Sequence, residues 1–122
     1  MKVLSYRQFN DRLKATVQAS GKLSFTEDAA KAMGIGEGSL IKFAIDDEND
    51  NQLYVVLSNG SEDPDAFRVR KAGVYCYVSA RNIFDALGVD YRKQAIVFQL
   101  VRVQSLDESL GGMSFRMCKR KN

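Results

Sequence analysis

Two stretches of this chain follow one plan. Lys22 to Ile45, KLSFTEDAAKAMGIGEGSLIKFAI, reads as strand, helix, glycine turn and strand, and Val74 to Leu100, VYCYVSARNIFDALGVDYRKQAIVFQL, repeats that order. Ala29, Ala30 and Met33 are spaced i, i+1, i+4, and so are Ile83, Phe84 and Leu87. Each trio makes one apolar stripe on a short helix. Thr26 and Ser79 stand before the helices, where a side-chain oxygen can accept from the first unpaired amides. Gly34 and Gly88 stand after them, where a helix stop favours a left-handed residue. Ile35 and Val89 then supply the apolar residue beyond the stop. On the strand side, Gly21 precedes Leu23 and Phe25 as Gly73 precedes Tyr75 and Tyr77. Beyond the helices, Ile41, Phe43 and Ile45 alternate as do Ile96, Phe98 and Leu100. Alternation of this kind marks strands with one face inward. Agreement at cap, stripe, stop and both flanking strands identifies an internal repeat.

The repeat fixes the expected architecture. It predicts a mainly β fold with short helices, built from tandem strand-strand-helix-strand-strand units in a single domain over 1–122. Repeat one covers about 15–58, a linker 59–65, and repeat two about 66–119. The two units should share one core made of Leu23, Phe25, Met33, Ile41, Phe43, Tyr77, Ile83, Phe84, Leu87, Ile96 and Phe98. Arg68 and Arg70 fall on one strand face, with Phe67 and Val69 on the other. Val97 to Val103 is apolar at nearly every position, which predicts a strand buried on both faces. Met113, Phe115 and Met117 alternate as a last strand after a loop over 104–112. A short helix with Tyr6, Phe9 and Leu13 on one side is expected in the lead-in.

Composition narrows the class. With 122 residues and 45% apolar content the chain has enough material for a packed core, which excludes disorder. No apolar run approaches the roughly 18 residues of a membrane span. The first residues, MKVLSYRQFNDRLK, contain no apolar signal core, so a cytoplasmic location is expected. The cysteines, Cys76 and Cys118, lie in strand-like segments and are expected as free buried thiols. The chain has no histidine. That removes Ser-His and Cys-His nucleophile systems and histidine metal sites. No enzyme activity and no cofactor are expected.

Two motifs resemble ligand loops and fail on context. Gly34-Ile35-Gly36-Glu37-Gly38 is glycine-rich, but it closes a helix and opens a strand, the reverse of a phosphate-cradling loop. Asp46, Glu48 and Asp50 alternate like calcium ligands. However, Asn51 replaces the turn glycine and Leu57 replaces the closing glutamate. A solvated hairpin tip between two strands is the expectation there. Ser58 to Asp65 holds the only proline, Pro64, and dense turn chemistry.

Charge is divided unevenly. Residues 1–66 carry 7 Lys/Arg and 11 Asp/Glu, and residues 67–122 carry 11 and 4. The two halves could attract each other, or the second half could present a surface to an anionic partner. Gly21-Lys22-Leu23, the helix through Met33-Gly34-Ile35, and Glu37-Gly38 leading into Leu40–Phe43 together resemble the AbrB-type (SpoVT-AbrB-like) swapped-hairpin domain. The resemblance covers about Ala15 to Leu57, and more loosely Ala66 to Met117. Members of that family form interleaved dimers and bind DNA. Two degenerate copies in one chain therefore imply an intramolecular pseudo-dimer, an AbrB-like swapped-hairpin or cradle-loop-type barrel. The family usually has proline before its helix, where Thr26 and Ala80 stand here, and basic residues following that proline, where the first copy has Glu27 and Asp28. That shifts the expected contacts toward the second copy.

The expected nucleic-acid-binding residues are Lys22, Arg68, Arg70, Lys71 and Arg81. Arginine can pair with phosphate bidentately or read guanine edges. The expected function is DNA binding, as a small transcription regulator or antitoxin-like protein, with DNA as partner. The alternative is a protein-binding or assembly module, whose basic residues pair with the acidic first half. A homo-oligomer stays open under both.

Overall fold

A computed structural model describes residues 13–45, 52–58, 63–103 and 113–119. The Tyr6–Phe9 lead-in, the acidic run at 46–51, residues 59–62 of the expected linker and the expected loop at 104–112 lie outside the described residues. The elements in chain order are β1 (Lys14–Val17), β2 (Lys22–Phe25), α1 (Glu27–Met33), β3 (Leu40–Ile45), β4 (Leu53–Leu57), β5 (Phe67–Arg68), β6 (Arg70–Ala72), β7 (Tyr75–Ser79), α2 (Arg81–Ala86), β8 (Ile96–Val103) and β9 (Ser114–Lys119). The protein is mainly β, as expected.

The strands form one sheet in the order β5-β3-β4-β9-β8-β1-β2-β7-β6, and every neighbouring pair is antiparallel. Its two edges are consecutive in the chain. Phe67 and Arg68 pair with Ile41 and Leu40 on one edge. Arg70 to Ala72 pair with Tyr77 to Tyr75 on the other. Between them Val69 donates its N–H to the Ser39 carbonyl at 2.7 Å, and its own carbonyl accepts from Gly38 N–H at 2.9 Å. One extended segment thus bridges both ends of the sheet and nearly closes a barrel. Closure removes the unpaired edges that would otherwise invite aggregation.

With β5 and β6 acting as one strand, the ring is about the size whose interior side chains alone can fill. Val17, Leu23, Phe25, Ile41, Val55, Val69, Leu100 and Phe115 fill it and are almost wholly buried.

The helices start and stop for local reasons. Thr26 Oγ1 accepts from Ala29 N–H at 3.2 Å, and Glu27 and Asp28 occupy the positive end of α1. Both helices end in the same pair of bonds. Gly34 N–H reaches Lys31 carbonyl and Ile35 N–H reaches Ala30 carbonyl, while Gly88 N–H reaches Asp85 carbonyl and Val89 N–H reaches Phe84 carbonyl. The starts differ. Ser79 is not the cap of α2: it remains in β7, paired with Lys22, and Ala80 takes the cap position with no side chain able to accept.

The core departs from expectation at three places. Cys76 and Val78 face inward, opposite Phe25 and Leu23, so Tyr75 and Tyr77 face outward. Period two allows only one parity, and the buried pairs on β2 decide it. On α2 the expected stripe narrows to Phe84, with Ile83 half-buried and Leu87 38% exposed. Tyr91, fully buried, supplies the missing bulk, its ring 6.4 Å from that of Phe84. On β8 both faces are buried only at Leu100 and Val101, and Arg102 is exposed. Phe43 and Ile96 are half-buried against the core. Among the described residues no helix is long and apolar enough to cross a membrane.

Candidate nucleic-acid interface

The outer face of β1, β2, β7 and β6 carries Lys22 and Arg70, two of the five residues singled out by the sequence. Register places Thr16, Ser24, Tyr77 and Arg70 in one row across these four strands. Lys22 lies one step along on β2, and its ammonium sits 4.7 Å from the centre of the Tyr77 ring. At that distance the cation is attracted by the negative face of the ring. Arg68, at the end of β5, is exposed two residues from Arg70, and both lie near the Glu37 carboxylate. Lys71 pairs with the inward-facing Cys76, so it leaves the strand on the opposite face from Arg70, although it is exposed.

Arg81 joins this surface through a close approach. It opens α2, and its stem lies directly over Gly21 in the β1–β2 turn. A Cβ added to Gly21 would come within 2.5 Å of Arg81 Cβ, and Gly21 also has φ +88°. Only glycine meets both demands. The Gly21 carbonyl accepts from Ala80 N–H at 3.3 Å, which ties the turn carrying Lys22 to the start of α2. Lys22, Arg68, Arg70 and Arg81 are therefore brought onto neighbouring elements of one surface, and Lys71 is not.

Counter-charges temper this surface. Glu37, in the turn before β3, accepts from Lys71 N–H at 2.6 Å and from Arg70 Nη1 at 3.3 Å. The Lys71 amide and then the Arg70 guanidinium, with Arg68 nearby, hold its carboxyl below the usual range. Asp85 accepts from the Tyr91 hydroxyl at 2.6 Å and from Arg92, and lies 3.8 Å from Arg81 Nε. The Tyr91 hydroxyl chiefly, then Arg92, keeps Asp85 acidic. Asp63 is lowered by Lys42, 3.0 Å away, and by the Asp65 amide.

All three carboxylates titrate below their unfolded values. The stability they contribute is therefore complete above the unfolded carboxylate range and is lost as pH falls through the folded values. Melting temperature should be flat from pH 7 down to about pH 5 and fall below about pH 4. Thermal melts across that span check it, and a melting temperature that rises on acidification contradicts the pairing.

The sequence reading missed Tyr75, Tyr77 and Glu37. Tyrosine and cysteine alternate along Tyr75-Cys76-Tyr77, and cysteine is the residue type more often fully buried. That preference was a usable signal. Glu37 had none, because only the return of residues 67–72 past the α1–β3 turn gives it partners. Both cysteines are free thiols, but only Cys76 is buried as expected and Cys118 is half-buried; burial pushes the Cys76 thiol up, away from the reactive thiolate.

Chemically, the surface offers cations on strands and turns, an exposed tyrosine and hydroxyls. Such groups bind anions and aromatic rings. Comparison of the chain with protein-family models, curated proteins and solved structures gave no match.

Proposed function

We propose that the chain binds DNA through the outer face of β1, β2, β7 and β6, as a swapped-hairpin barrel made of two copies of one unit. The strand pairings support the two-copy reading. In the first half β1, β2, β3 and β4 surround α1; in the second, the β5–β6 segment, β7, β8 and β9 surround α2. First strands pair with the third strands of the other half, β1 with β8 and β5 with β3. Second strands pair across as β2 with β7, and fourth strands as β4 with β9. Exchanging the two halves leaves this list unchanged. An interleaved pseudo-dimer has that property.

The observation that carries the DNA reading is the convergence of Lys22, Arg68, Arg70 and Arg81 on one surface. Flexible cations on rigid strands can each displace a condensed counterion from a phosphate, so affinity follows salt. Four contacts give a slope of log affinity against log salt near −3.6 on duplex DNA, at about −0.9 per contact. Fluorescence anisotropy of a labelled duplex over a salt series measures it. A slope near zero, or no binding at low salt, sinks the reading. A small transcription regulator or antitoxin-like protein of the cytoplasm is the role such an activity would serve.

Glu37 supports a second reading. Its carboxylate already occupies Arg70 and the Lys71 amide, as expected of an assembly module whose acidic and basic halves pair internally. Under that reading the partner is another protein.

A further inference from the structure

A recess of about 410 Å³ opens across β1, β2 and β7, with Ala72 of β6 at its border. Its walls include Lys22, Tyr75 and Tyr77, and Thr16, Ser24 and Gln18 supply polar groups to its lining. The size is toward the small end of ligand sites, suited to a group of nucleotide dimensions. Tyr75, the first residue of β7, is 54% exposed on the outer face. The Lys22 ammonium lies 4.7 Å from the ring centre of its neighbour Tyr77. Two aromatic rings beside a lysine, with Arg70 on the next strand, put stacking surface and phosphate-pairing charge within one short span.

We infer that this recess receives an unpaired nucleobase, stacked on Tyr75 and Tyr77 while Lys22 and Arg70 meet the flanking phosphates. The inference rests on the DNA-binding reading and adds a contact that the reading lacks. Bases in a duplex are stacked on each other and cannot enter a recess on a convex sheet. A single strand can turn one base out and still present its backbone to the cations. Stacking tolerates any base, because every base has a π-face. The surface should therefore prefer single strands with little sequence selectivity. The hydroxyls and the Gln18 amide can satisfy base-edge groups without fixing which base is present. Single-stranded DNA and RNA share this chemistry.

The test uses the full chain and labelled oligonucleotides of one sequence: single-stranded DNA, single-stranded RNA, the DNA duplex, and a DNA single strand with abasic sites. The DNA single strand should bind about tenfold tighter than the duplex, and the abasic strand should lose that advantage. The tighter of the two single strands identifies the source. Tyr75→Ala should weaken single-strand binding by about 5- to 100-fold at an unchanged salt slope, while Tyr75→Phe retains affinity. Tyr75 is exposed enough for both variants to fold, which circular dichroism checks. Equal binding of single strand, abasic strand and duplex overturns the inference and leaves DNA binding standing, as does an unaffected Tyr75→Ala variant. No binding to any oligonucleotide at low salt removes both.

Discussion

Phe84→Ala should lower the free energy of unfolding by about 3–5 kcal/mol, the cost of deleting a fully buried aromatic ring. Phe84 is 0% exposed and is the only residue of α2 that is wholly inside. Its ring lies edge-on to Phe43 at 6.1 Å and to Tyr91 at 6.4 Å, and Phe43 in turn meets Phe67 at 5.4 Å. Four rings from β3, β5, α2 and the segment after α2 thus form one row of edge contacts, Phe67-Phe43-Phe84-Tyr91. Truncation leaves a cavity that none of them can collapse into, because each is anchored on a different element. Urea denaturation followed by circular dichroism gives the value from the shifted midpoint. A cost well below 1 kcal/mol would place Phe84 on the surface instead. Leu87→Ala supplies the contrast. That side chain is 38% exposed, so its loss should cost about 1 kcal/mol or less.

What the sequence disclosed, and what it withheld, follows the range of the interactions involved. α1 was legible to the residue, since Thr26, Glu27, Asp28 and Gly34 act within a single turn of backbone. The β3 and β4 strands were equally plain from alternation and the turn residues between them. The parity of β7 had only one local cue, the burial preference of Cys76. Alternation along Tyr75-Cys76-Tyr77 fits either parity, and Leu23 and Phe25 on the strand alongside decide it. The same holds for Leu87, which Tyr91 displaces from the core only because the chain folds back after Gly88. Barrel closure was the least visible feature. It depends on Val69 interrupting what reads as one strand, so that Phe67–Arg68 serve β3 and Arg70–Ala72 serve β7. No local pattern distinguishes that break from an ordinary strand. The basic surface was found as a list of residues, but its neutralising partner Glu37 was not. Its contact with Arg70 joins positions far apart in the chain.

Reversing Arg68 and Arg70 to glutamate together should weaken DNA binding by about 100-fold at low salt and flatten the salt slope by roughly 1.8, two contacts at about 0.9 each. The loss should be the same for every sequence, because phosphate contacts position the protein without reading bases. Glu37→Gln should act in the opposite direction. Arg70 now shares its guanidinium with the Glu37 carboxylate at 3.3 Å, with both side chains more than half exposed. A neutral amide can still accept from Lys71 N–H, so the turn is preserved, while Arg70 is released to a phosphate. Affinity should rise a few-fold at an essentially unchanged slope, because Arg70 is already one of the four contacts and only ceases to be shared with a carboxylate. The paired variants separate the two functional readings. If the arginines serve only to hold the acidic half, Arg70→Glu sets a second carboxylate beside Glu37, and the melting temperature falls without any change in DNA affinity. Glu37→Gln would then also destabilise the protein, since it removes the charge that Arg70 and Arg68 face. Opposite effects of the two variants on affinity favour a DNA surface that Glu37 partly masks. A shared loss of stability at unchanged affinity favours the assembly module.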